Sequence, residues 1–156
     1  MNIRSPVPAD VPAIIALMRE FAVFEDLLDF FEITDDRLSQ VLFGEGTFVN
    51  ALIAEADGRV CAYSIFYPNF ASFRGQLGMY LEDIYITADY RGRGIGDAML
   101  REIARIAAKR GFERIDFQVL DWNTAAIDFY EKLGAVRDDI ERHFKFTDKA
   151  FADLAK

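Results

Sequence analysis

A chain of 156 residues, 52% of them apolar and fifteen of them Phe, can enclose one hydrophobic core, and a single domain over residues 1–156 is expected. Acids outnumber Lys and Arg by 26 to 18, a net charge of −8 that argues against nucleic acid as a partner and suits either steering of a cationic substrate or plain solubility. The single cysteine excludes an intrachain disulfide, and no apolar run reaches the roughly 18 residues of a membrane span, so a cytoplasmic protein with no membrane partner is expected.

Ile3 to Ser5 reads as a short first strand. Val11, Ile14, Ile15, Met18, Phe21 and Ala22 then recur at helical spacing, after a start supplied by Pro8 to Asp10. Thr34, followed by Asp35 and Asp36, caps a second helix reaching about Leu42. Phe48 to Ala56 and Arg59 to Tyr67 are two strands joined by Asp57-Gly58, a hairpin turn signal. Met79 to Thr87 is another strand, and a glycine-bearing segment then opens a helix that buries Ile95, Met99, Ile103, Ile106 and Ala107 and stops at Gly111. Arg114 to Val119 reads as a strand, Thr124 to Leu133 as a helix stopped by Gly134, and Arg142 to Thr147 as a last strand. This order predicts an α+β (mixed α/β) domain around one central sheet.

Arg91-Gly92-Arg93-Gly94-Ile95-Gly96 lies between a strand and an amphipathic helix. Glycines let backbone amides approach a bulky anion, and a helix N-terminus adds partial positive charge, so the loop suits a diphosphate. An ordinary glycine turn has the same composition. The dinucleotide-binding G-x-G-x-x-G pattern is absent, and so is the Gly-Lys-Ser/Thr ending of a P-loop. Cys61 sits in an apolar strand and reads as core. His143 is the only histidine, and no Cys/His cluster accompanies it, so no metal site is expected.

The run Tyr80-Leu81-Glu82-Asp83-Ile84-Tyr85-Ile86, followed by Asp89-Tyr90-Arg91-Gly92-Arg93-Gly94-Ile95-Gly96, resembles the GNAT acetyltransferase superfamily. Arg91, Gly94 and Gly96 match its Arg/Gln-x-x-Gly-x-Gly/Ala loop. A second block, Trp122-Asn123-Thr124-Ala125-Ala126-Ile127-Asp128-Phe129-Tyr130 through Gly134-Ala135, is similar to the superfamily's later helix. Within the superfamily the sequence looks most like the spermidine/spermine and thialysine N-acetyltransferases, over nearly its whole length. The resemblance implies a sheet of about six to seven mostly antiparallel strands flanked by about four helices, a homodimer, and acetyl-CoA as co-substrate.

It also implies roles. The amides of Ile84, Tyr85 and Ile86 would pair with pantetheine, and Arg91, Gly92, Arg93, Gly94, Ile95 and Gly96 would hold the diphosphate. Asn123 would cap its helix and, with Ala125 and Ala126, meet the cofactor. Tyr130 would be the general acid for the departing sulfur, the other reading being an aromatic core residue beside Phe129. Glu82 would be either the base that takes the amine's proton or a binder of the cationic substrate. On a regular strand Asp83 points to the opposite face, unless a bulge brings it round. Phe24 and Glu25 stand where the polyamine-acetylating relatives carry a Tyr-Glu pair. With Glu82, Asp83, Asp116, Phe117, Gln118 and Trp122 they would contact the acceptor, and the acids read as an acidic groove or as a solvated face. Trp122 is a substrate-side wall or plain packing. The function expected is N-acetylation of a primary amine on a polyamine, diamine or lysine-like amino acid. The alternatives are another acceptor, such as an amino sugar or a protein N-terminus, or a non-catalytic acyl-CoA-binding module.

Overall fold

A computed structural model describes residues 1–156, which divide into two compact units, Met1–Gln118 and Val119–Lys156. The first holds β1 (Asn2–Arg4), α1 (Val11–Phe24), α2 (Asp35–Phe43), β2 (Asn50–Ala56), β3 (Arg59–Ala71), β4 (Gln76–Ile86), α3 (Ile95–Lys109) and β5 (Arg114–Phe117). The second holds α4 (Thr124–Lys132) and α5 (Asp148–Leu154). No helix is long and apolar enough to cross a membrane.

The strands lie in sequence order, antiparallel from β1 to β4 and parallel between β4 and β5, which α3 connects. Asp57 and Gly58 both take positive φ (53° and 75°), the conformation that a tight turn between two twisted strands requires. Side chains alternate across the sheet and feed two cores. On one face Leu52, Ala62, Phe66, Met79 and Leu81 meet the α3 stripe Ile95, Met99, Ile103 and Ala107. On the other, Ala51, Ile53, Tyr63, Ile65 and Tyr85 meet Val11, Ile14 and Leu17 of α1 and Leu38 and Leu42 of α2. Cys61 is fully buried in the first core, its thiol donates to the Ala54 carbonyl at 3.4 Å, and burial pushes the thiol pKa up; it is a structural residue.

Two expectations need correction. The sheet has five strands rather than six or seven, and five α-helices form rather than four. Arg142–Thr147 is irregular, because an alternating pattern becomes a strand only where a neighbour completes its hydrogen bonds, and none pairs here; Phe144 and Phe146 stay exposed. The unanticipated helix α5 follows at once from Thr147, with Asp148 in its first turn.

Candidate active site

The strand β4 changes face in its middle. Ile65 and Phe66 are adjacent on β3, yet their partners on β4 are Asp83 and Leu81, so Glu82 is an extra residue with no partner. Leu81 on one side of this bulge and Ile84 on the other both pack on the α3 side. Glu82 and Asp83 therefore both turn to the α1/α2 face. Their contacts agree: the Tyr63 hydroxyl donates to Asp83 at 3.1 Å and the Tyr67 hydroxyl to Glu82 at 2.7 Å, from two positions four apart on the same face of β3. Tyr67 stacks on Tyr80 at 5.3 Å and meets Phe48 edge-on, which fixes its phenol.

Asp83 borders a cleft of about 520 Å³ between the end of α1, the α1–α2 connection and the sheet. The helix α1 stops because Asp26 takes a left-handed φ of 58° and the Leu27 amide closes back on the Ala22 carbonyl at 2.8 Å, leaving Glu25 at the cleft wall. Phe21, Phe30 and Phe31 supply aromatic walls, with Glu32 and Arg37 completing the polar lining. Burial pushes the Asp83 carboxyl up to about 6, against the Tyr63 hydrogen bond that pulls it down, while the nearby Glu82 and Glu25 add to the rise. Burial raises Glu25 as well. A cleft in which burial works against the charge of Asp83 and Glu25, lined by aromatic rings, is suited to an ammonium group.

The β4–β5 pairing covers Gly78–Leu81 and stops, so from Glu82 to Ile86 the outer edge of β4 presents backbone groups that no strand pairs with. Beyond it, the Arg91–Gly96 loop opens α3. Gly94 precedes the helix at φ 78°, and no side chain caps the N-terminus, whose first intrahelical bond runs from Ala98 back to Gly94. The donors of the first turn are thus available to an anion, and the open strand edge to an amide-bearing arm, a pair of features that fits an acyl-CoA. The arginines are engaged in shaping the loop. Arg91 Nε donates to the Ile86 carbonyl at 2.9 Å with its guanidinium over the Phe24 and Tyr85 rings, and Arg93 donates to the Asp89 carbonyl at 2.8 Å over Tyr90.

The first unit therefore brings Glu25, Glu82 and Asp83 to one face, with Ile84, Tyr85, Ile86 and the glycine loop following in the chain. Phe24 lies under Arg91 and does not line the cleft. Asp116 is held by Arg114 (2.8 Å) and Asn69 (2.7 Å); burial works to raise its carboxyl, but these partners outweigh it and hold the group low, leaving it little unsatisfied charge. Phe117 is half-buried against the α3-side core, and Gln118 is exposed. In the second unit the Asn123 side chain caps α4, accepting from the Ala126 amide at 3.2 Å, beside Ala125. Tyr130 is half-buried with its ring 5.2 Å from Phe129, and burial pushes its phenol up to about 12; Trp122 is half-exposed. Tyr63, Tyr67 and Arg37 are absent from the residues singled out by sequence. For the tyrosines the available signal is their four-residue spacing on one predicted strand.

The acetyltransferase (GNAT) family profile matches residues 14–135. The thialysine N-epsilon-acetyltransferase of Bos taurus is 36% identical, over 98% of this chain and 96% of that protein. The L-ornithine N5-acetyltransferase of Arabidopsis thaliana is 30% identical, over 86% of this chain and 78% of that protein. An integron cassette protein from the mobile metagenome of V. cholerae shares the fold, with a TM-score of 0.79 at 23% identity over 99% of this chain and 97% of that one. The chain belongs to the acetyltransferase (GNAT) family and is an enzyme of that class.

Proposed function

We propose that the protein transfers acetyl from acetyl-CoA to a primary amine of a small cationic acceptor, by direct transfer in a ternary complex. The β4 bulge is the observation that carries this reading: it sets two carboxylates beside an aromatic cleft at the point where the strand edge opens. In this reading residues 1–156 act as one catalytic domain, since the family match runs across the division between the two units.

The acceptor's ammonium is drawn into the cleft by Asp83 and Glu25. An alkylamine with a pKa near ~10 must lose a proton before it attacks, and Glu82, held by Tyr67, takes it directly or through a water. The nitrogen lone pair then adds to the thioester carbonyl carbon, whose oxygen is stabilised by a fixed amide of the open β4 edge as it gains charge. The C–S bond breaks, the amide forms, and the leaving sulfur takes a proton from Tyr130, which burial keeps protonated at working pH. The diphosphate rests on Arg91–Gly96 and the start of α3, and Asn123, Ala125 and Ala126 complete the cofactor site. The relatives named for thialysine and L-ornithine support a lysine- or ornithine-like acceptor beside diamines and polyamines. The working form is taken to be a cytoplasmic homodimer, which light scattering tests.

The test is coenzyme A release from acetyl-CoA across putrescine, spermidine, L-ornithine, thialysine and glucosamine. Amine-dependent release with the diamino compounds is expected. Tight coenzyme A binding without release for any amine would leave only a binding module.

A further inference from the structure

The cleft carries one cation, and its position is unexplained by folding. Arg37 lines it opposite in charge to Glu25, Glu32 and Asp83. The residue sits in the first turn of α2, where only its backbone amide is used, donating to the Thr34 hydroxyl at 3.3 Å. A cation there opposes the helix dipole, so Arg37 does nothing favourable for its own helix. Its guanidinium makes no ion pair, hydrogen bond or ring contact, although Asp35 and Asp36 precede it directly. The comparison with Arg4, Arg91 and Arg114 is telling, since each of those is held by carboxylates, carbonyls or rings of the protein.

A plain polyamine gives such a residue nothing to bind. All its charges are positive, and Arg37 repels it from the cleft that three carboxylates make attractive. A molecule carrying two amines and a carboxylate matches every charge present. One amine faces Asp83 and the bulge, the other faces Glu25 and Glu32, and the carboxylate takes the planar fork of the guanidinium in a bidentate pair.

We infer that Arg37 is a specificity-determining residue that receives the carboxylate of the acceptor, so that the enzyme selects small diamino acids over the corresponding diamines. This rests on the reading that the cleft is the acceptor site. The residue acts in binding and not in the transfer step; no bond is made or broken at it.

The test compares acceptors that differ only by the carboxylate, L-ornithine against putrescine and L-lysine against cadaverine, at saturating acetyl-CoA. The wild type is expected to favour the amino acid of each pair in kcat/KM. Arg37→Ala lowers the ratio of amino acid to diamine kcat/KM by about ten-fold or more, through the KM of the amino acid with kcat nearly constant, as expected for a lost charge-assisted pair. Arg37→Lys restores part of the ratio, and Arg37→Glu reverses the preference. Because the side chain is exposed, folding is not at risk, and matching thermal melts confirm it. A ratio unchanged in Arg37→Ala, or a wild type indifferent to the carboxylate while it acetylates diamines, overturns this inference and leaves the proposed function standing. Absence of acetylation for every amine overturns the proposed function, and this inference with it.

Discussion

Replacing Asp83 by Asn should make the protein more stable and the enzyme worse. The carboxyl is pushed from an ordinary 3.8 to about 6, mainly by burial. That gap corresponds to about 3 kcal/mol against the charged form at neutral pH, and the side chain's partial access to water trims it to about 2 kcal/mol. Asn keeps an oxygen for the Tyr63 hydroxyl and carries no charge to desolvate. The sign fixes the pH window. A carboxyl whose pKa is raised by folding favours the folded state below 3.8, and this contribution is lost as the pH climbs through about 6. Wild type and Asp83→Asn should therefore melt together near pH ~3, where both side chains are neutral in the folded and unfolded chain, and diverge to a gap of about 4–8 °C in favour of the variant at pH ~8. Thermal melts across that range, followed by circular dichroism, read this directly. A gap independent of pH, or a variant less stable at high pH, would refute the claim that Asp83 is an ionisable group held in a poorly solvated site awaiting a cation.

The same titration should appear in catalysis: the acceptor KM falls as the pH rises through about 6, as Asp83 takes up its charge, and the effect vanishes in Asp83→Asn. Tyr130→Phe is expected to lower kcat by about a hundred-fold or more with acetyl-CoA affinity unchanged, which isothermal titration checks; an equal loss in both would make Tyr130 structural. Gly94→Ala places a Cβ on a residue at φ 78°, so it should cost about 1 kcal/mol or more in denaturant unfolding and weaken coenzyme A binding more than amine binding. Removing the α4 cap in Asn123→Ala should cost about 1 kcal/mol in the same unfolding measurement.

Local chemistry was legible in the sequence wherever a few neighbouring residues decide the backbone. The Asp57-Gly58 turn, the Thr34 and Asn123 caps and the α3 stripe Ile95, Met99, Ile103 and Ala107 all form as their spacing requires. The bulge was half legible. Leu81 and Ile84 lie three apart and pack on the same side, a break in the two-residue alternation, with Glu82-Asp83 in the gap. Whether a strand absorbs such a break by a bulge depends on its neighbour, here Ile65-Phe66 of β3, which sequence spacing does not reveal. The cleft was hidden for a related reason: Glu25, Arg37, Tyr63 and Asp83 come from four separate segments. Arg142–Thr147 misled because alternation records a preference for two-sided packing, whereas a strand also needs a partner's hydrogen bonds.

The central claim is that the carboxylates beside the β4 bulge receive the amine that becomes acetylated. Initial rates of coenzyme A release by the wild type and by Glu25→Gln/Asp83→Asn, with L-ornithine as acceptor, test it most directly. The wild type should release coenzyme A only when the amine is present, and the double variant should show an acceptor KM raised by about ten-fold or more with the acetyl-CoA KM unmoved. A double variant that takes the acceptor as well as the wild type does would contradict the account.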